Sequence, residues 1–147
     1  MKSKGATALV SCILAWIIPG AGHFYLRKRK KAIVFFLVIV TTFLLGLAND
    51  SRSYLMDRQQ PLTYLATFTN IATGPLEMIS RESTYHALVY ALPAEEGDPA
   101  SLPLLEAMRR KVRSVTNEYG TTYLLAAGLM NILLILDAFD ISMGRKA

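Results

Sequence analysis

Residues 16–48 read WIIPGAGHFYLRKRKKAIVFFLVIVTTFLLGLA, two apolar segments joined by five consecutive cations, Arg27, Lys28, Arg29, Lys30 and Lys31. A Pro-Gly-Ala-Gly-His-Phe-Tyr knuckle stands just before the cations. Upstream, Ala6 to Leu26 holds no carboxylate, lysine or arginine; downstream, Ala32 to Ala48 is seventeen residues without a charge. A helix that crosses the hydrocarbon core needs about 20 mostly apolar residues, with a lower limit near 17. The stretch therefore reads as a membrane hairpin whose basic turn faces the cytoplasm.

Outward from the hairpin, Thr121 to Leu136 is a third uncharged run, of sixteen residues, while Asn49 to Gly120 is mixed polar and holds five of the six prolines. The overall apolar share of 52% is close to that of a soluble protein, so the distribution decides, not the average. A chain of 147 residues could hardly wrap several uniformly apolar helices as a buried core. The expected fold is all-α: a single membrane domain over 1–147, with a transmembrane hairpin at 6–26 and 32–48 and a transmembrane helix at 121–140. Between them, 49–120 is expected to be mainly extracytoplasmic, with amphipathic, interfacial helices.

Details within this frame stay open. Pro19 with Gly20 and Gly22 should kink or unwind the first segment, which either spans or turns back as a re-entrant hairpin. A basic start before an apolar run also describes a secretory signal, but the cations straight after Leu26 look like a cytoplasmic stop. Leu62, Leu65, Phe68, Ile71 and Ala72 recur at helical spacing within 61–79, interrupted by Asn70, Gly74, Pro75 and Glu77. This predicts an amphipathic helix on the membrane surface in preference to a crossing. Residues 94–99 form a loop, and Asp98 or Ser101 can cap a helix running to about Thr116 that carries the Arg109–Lys111 cluster and Arg113.

The hairpin, Pro19-Gly20-Ala21-Gly22-His23-Phe24-Tyr25-Leu26 followed by cations and a second span, resembles the two-transmembrane (TM-two) domain family, which has a Gly-rich His-Phe-Tyr-Leu-Gly turn. Arg27 stands where that turn has its glycine. With Glu118-Tyr119-Gly120, Gly128-Leu129-Met130-Asn131, Leu136-Asp137-Ala138-Phe139-Asp140 and Gly144-Arg145-Lys146, the whole chain looks like a functionally uncharacterised bacterial membrane-protein family. The resemblance implies the bacterial cytoplasmic (inner) membrane and supplies no activity, cofactor or catalytic residue.

The residues themselves argue for structure over catalysis. No phosphate-loop spacing, His-Glu-x-x-His or Gly-x-Ser-x-Gly occurs, so no catalytic residue is assigned. His23 and His86 are too isolated for a metal site, the Glu95, Glu96 and Asp98 loop is ordinary, and Cys12 alone forms no disulfide; no metal or cofactor is expected. The net charge of +5 is a topology signal more than a nucleic-acid footprint, because five of the sixteen basic residues sit in one turn. Arg27 to Lys31 are assigned to anionic lipid headgroups. Asn131, Asp137 and Asp140 are expensive in lipid unless paired. They are grouped with His23 and Tyr25 as a structural polar cluster in which Asp137 or Asp140 meets the 23–27 knuckle or, alternatively, Arg145 or Lys146. The functional expectation is a small non-enzymatic membrane protein that scaffolds or stabilises other membrane components, with its C-terminus cytoplasmic. Its partners would be membrane lipids and a membrane protein or a second copy. The alternative is a small transporter or channel subunit using His23, Asn131, Asp137 and Asp140.

Overall fold

Pro19 has no amide hydrogen to donate and Gly20 takes a left-handed backbone (φ 87°), so the first apolar run cannot continue as one helix. The computed structural model describes residues 4–49, 53–56, 61–85, 88–91 and 115–146, and in it that run divides into α1 (Lys4–Ile17) and α2 (Ala21–Tyr25). The expected segment 6–26 is thus not one continuous helix. With 14 residues, α1 is about 21 Å long, short of a hydrocarbon core of about 30 Å. The other helices among the described residues are α3 (Arg29–Ala48), α4 (Leu62–Ile71), α5 (Pro75–Tyr85) and α6 (Val115–Ser142). No strand accompanies them there beyond an isolated bridge between Met56 and Ala91. The chain is all-helical, and both α3 and the Tyr119–Ser142 part of α6 are long and apolar enough to cross a membrane. His86, the 94–99 loop with Glu95, Glu96 and Asp98, and the Arg109–Arg113 cluster lie outside the described residues.

The three helices α1, α3 and α4 pack on α6. Helix α3 runs antiparallel to it: Gly46 meets Gly120 and Leu124 at one end, and Lys31 approaches Asp137 at the other. Ile39 and Phe43 of α3 close the apolar core with Leu124, Ala127 and Leu134 of α6. Helix α1 is also antiparallel to α6, with Cys12 Sγ 3.8 Å from the Ile135 carbonyl. Helix α4 is parallel, placing Thr69 against Gly128 and Ala72 against Asn131. So α1 comes from the basic end and α4 from the opposite end, and their C-termini meet beside the middle of α6. Gly74, just past α4 in a left-handed turn (φ 72°), is so close to α1 that a Cβ would sit 2.0 Å from the Trp16 carbonyl oxygen.

The region expected to be a single amphipathic helix over 61–79 is two helices, because Thr73 and Gly74 form a turn and Pro75 opens α5 as its first residue. Their orientation inverts that of a soluble protein. Leu62, Leu65 and Phe68 are 80%, 65% and 62% exposed, whereas Thr67, Thr69 and Asn70 are 0%, 4% and 1% exposed. Apolar residues likewise cover the outside of α3, including Ile33, Val34, Leu37 and Leu44.

Helix α4 also comes into backbone contact with α6, where a Cβ on Gly128 would lie 2.1 Å from the Thr69 carbonyl oxygen. Gly128→Ala is therefore expected to push α4 outward and cost about 1–3 kcal/mol. A lower thermal unfolding midpoint in detergent checks this; an unchanged midpoint would mean that the two backbones do not touch.

Candidate functional site

Two small glycines and an alanine bring His23 inside. A Cβ on Gly20 would meet the Ala32 carbonyl oxygen at 2.4 Å, and one on Gly22 the Ser11 carbonyl oxygen at 2.3 Å, next to Ala15. This lets the single-turn helix α2 wedge between α1 and α3 and leaves His23 fully buried, its ring edge-on to Phe35 at 5.3 Å. His23 Nε2–H donates to Asp137 Oδ2 at 2.9 Å, while Lys146 donates to Asp137 Oδ1 at 2.9 Å and Lys31 Nζ lies 3.9 Å away. The carboxylate hydrogen bond keeps Lys146 charged to a higher pH than an ordinary lysine. One carboxylate thus ties α2, the start of α3 and the chain after α6 together.

The rest of the assigned residues are spread around this point. Asp140 does not join the knuckle; its nearest cation is Arg145, at 3.7 Å. Tyr25 lines a groove between α2 and α3. Arg29, Lys30 and Lys31 form the first turn of α3, where positive charge opposes the helix macrodipole, and no side chain caps that end. Arg29 lies over the Phe24 ring at 5.7 Å. Arg27 is the one non-glycine residue with positive φ (62°) among those described. The backbone there takes the conformation that glycine adopts without strain. Arg27→Gly is expected to relieve about 1 kcal/mol of this strain, less the added flexibility of the unfolded chain. Calorimetry in detergent should show an equal or higher midpoint; a clear fall would contradict the strain.

Asn131 belongs to a second cluster, six residues and about 9 Å up the α6 axis from Asp137. The last carbonyls of a helix lack its regular partners; here the Thr73 and Gly74 amides turn back on the Asn70 and Ile71 carbonyls, and side chains complete the set. Thr73 Oγ1–H donates to the Asn70 carbonyl, Trp16 Nε1–H to the Ile71 carbonyl at 3.1 Å, and Asn131 Nδ2–H to the Ala72 carbonyl at 2.7 Å. The end of α4 is therefore held by α1 and α6 at once. Trp16 and Thr73 carry this junction although sequence reasoning assigned them no role, and Gly74, which the sequence marks only as an interruption, carries it with them. Their signal was the polar Asn-x-x-Thr-Gly-Pro break inside an apolar helical pattern.

A family model described as a family of unknown function, DUF6677, matches residues 10–147. The chain belongs to the DUF6677 family. No curated protein and no solved structure matches it. The matched span includes both clusters of this DUF6677 protein and a third buried feature, the ion pair of Glu77 with Arg81 on successive turns of α5. Arg81 also donates to the carbonyls of Val89 at 2.6 Å and Tyr54 at 2.8 Å and stacks 4.3 Å from the Tyr90 ring, fastening 53–56 and 88–91 onto α5. This was legible as a Glu-x-x-x-Arg pair, a spacing that on most helices marks only an exposed pair.

Proposed function

We propose that this DUF6677 protein is a non-enzymatic integral membrane protein of the bacterial cytoplasmic membrane that scaffolds or stabilises other membrane components. The observation that carries this reading is the use made of its interior polar groups: His23, Asn131 and Asp137 each bond another element of the same bundle. Such bonds fix one arrangement of helices. The polar interior and apolar exterior of α4, and the mostly exposed apolar faces of α3 and α6, support a lipid environment. Lys31 and Lys146 approach the same carboxylate, which supports a cytoplasmic location for the basic turn and the C-terminus alike.

In this reading α1 with α2 forms a re-entrant hairpin from the cytoplasmic side, and α4 with α5 forms one from the opposite side. Non-helical backbone at membrane depth is tolerated only where protein satisfies it, and the Trp16, Thr73 and Asn131 contacts do that.

The test pairs two measurements. A photoreactive amino acid at Leu65 or Leu129, both exposed along the α4–α6 seam, is expected to give a discrete protein adduct in native membranes. The purified protein in liposomes is expected to leave proton and sodium flux at the level of protein-free vesicles. Flux above that level that Asp137→Leu abolishes, without a protein adduct, would replace this reading with the transporter one.

A further inference from the structure

Between α2 and α3 runs a groove of about 500 Å³, almost wholly apolar and open to the outside of the bundle. Ile18, Ala21 and Phe24 form one wall, and Ile33, Phe36 and Leu37 the other. Its walls on α3 extend from just after the cations to Leu37, about 12 Å along the axis from Arg29. At its mouth stands Phe24, with the Arg29 guanidinium over its ring. Arg29 is one of five consecutive cations, Arg27 to Lys31, that join the two walls in the chain, and among the described residues Lys31 is the one of them paired with a carboxylate.

We propose that this groove is a binding site for one anionic phospholipid, an acyl chain lying along α3 and the phosphate held by the basic turn. Charge complementarity selects this occupant. Arg29, Lys30 and Lys31 crowd like charge onto the positive end of the α3 dipole, an arrangement that an anion at the mouth relieves. Phosphate suits arginine and lysine, and an apolar channel leading away from it suits an attached chain. A neutral transmembrane segment would use the groove and leave the cations unanswered. A free phosphate would do the reverse.

The inference rests on the membrane reading, and the experiment separates the two. Full-length protein is transferred into nanodiscs of equal phosphatidylglycerol and phosphatidylcholine, released into detergent, and examined by native mass spectrometry. Co-release of lipid of either kind tests the membrane reading; selectivity tests the site. The wild type is expected to retain one phosphatidylglycerol per chain, in at least fivefold excess over phosphatidylcholine. Lys28→Gln with Lys30→Gln is expected to bring that preference close to parity at low salt, with a smaller change at high salt. Ala21→Phe, which fills the groove and leaves every cation in place, should lower retention of phosphatidylglycerol to a similar extent. Ile33→Phe, on an exposed position, provides the same test if Ala21→Phe fails to fold. Glycerol phosphate in millimolar excess is expected not to displace the lipid.

Equal retention of the two lipids would overturn the proposal. So would unaltered selectivity in the charge variant, or groove-filling variants that retain lipid as the wild type does. Displacement by glycerol phosphate would reduce the site to a phosphate contact. A dimer that Ile33→Phe dissociates would assign the groove to a second copy.

Discussion

Asp137→Leu is expected to destabilise the bundle by about 2–4 kcal/mol, while Asp140→Leu changes it by less than about 0.5 kcal/mol. The carboxylates are three residues apart on one helix, and only their partners separate them. Asp137 accepts from fully buried His23 and from Lys146, so its removal leaves an imidazole N–H without a partner in a place water does not reach. Asp140 is a third exposed and lies 3.7 Å from an exposed arginine, an arrangement worth little in water. A compensating change sharpens the expectation. Replacing a buried polar pair by apolar groups of similar size is often near neutral, so His23→Phe added to Asp137→Leu should recover part of the loss. Thermal unfolding in detergent of the two single variants and the double variant measures this. Equal effects of the two carboxylates, or additive losses in the double variant, would mean that the pair does not hold α2 to α6.

Asn131→Leu should cost about 1–3 kcal/mol, because it strips the donor from the Ala72 carbonyl, and Trp16→Phe about 1 kcal/mol, because the Ile71 carbonyl keeps the Gly74 N–H. The size of the effect reports depth. At a membrane surface, water would take over the freed carbonyl and the loss would fall below about 0.5 kcal/mol; inside the bundle nothing replaces the donor. The two changes act on neighbouring carbonyls of one helix end, so their combination should depart from additivity. Proteolysis at the α4–α5 junction gives a local readout: both variants should be cut faster than wild type, and equal cutting rates would place that junction at the surface.

Uncharged length made α3 and α6 legible, since seventeen and sixteen consecutive uncharged, mostly apolar positions admit few other uses. The break at Pro19 and Gly20 was legible for the same local reason, a missing donor beside a residue free to turn. Whether the chain then continued or folded back was not, because that depends on Gly22 fitting against Ser11 and on His23 reaching Asp137. Sequence left the α6 carboxylates a choice between the 23–27 knuckle and Arg145 or Lys146. Asp137 takes His23 and Lys146, and Asp140 takes Arg145, because burial between α1 and α3 brings His23 alone of the knuckle to α6. Asn131 was grouped with the wrong neighbours. Its demand for a partner was readable, but its partner is a backbone carbonyl 59 residues away, and carbonyls leave no mark in a sequence. The polar face of α4 misled for a related reason: Thr67, Thr69 and Asn70 look solvent-facing until the apolar face is seen to point outward.

Two half-length elements meeting inside the bundle from opposite ends are the centre of this architecture, and side-specific cysteine labelling in sealed vesicles tests them most directly. In a Cys12→Ser background, Lys4→Cys, Lys28→Cys and Lys146→Cys are expected to react from one side of the membrane, and Asn49→Cys, Leu62→Cys and Tyr85→Cys from the other. Labelling of positions 4 and 28 from opposite sides, or of positions 62 and 85 from opposite sides, would show a full crossing where the structure has a turn, and would contradict the arrangement.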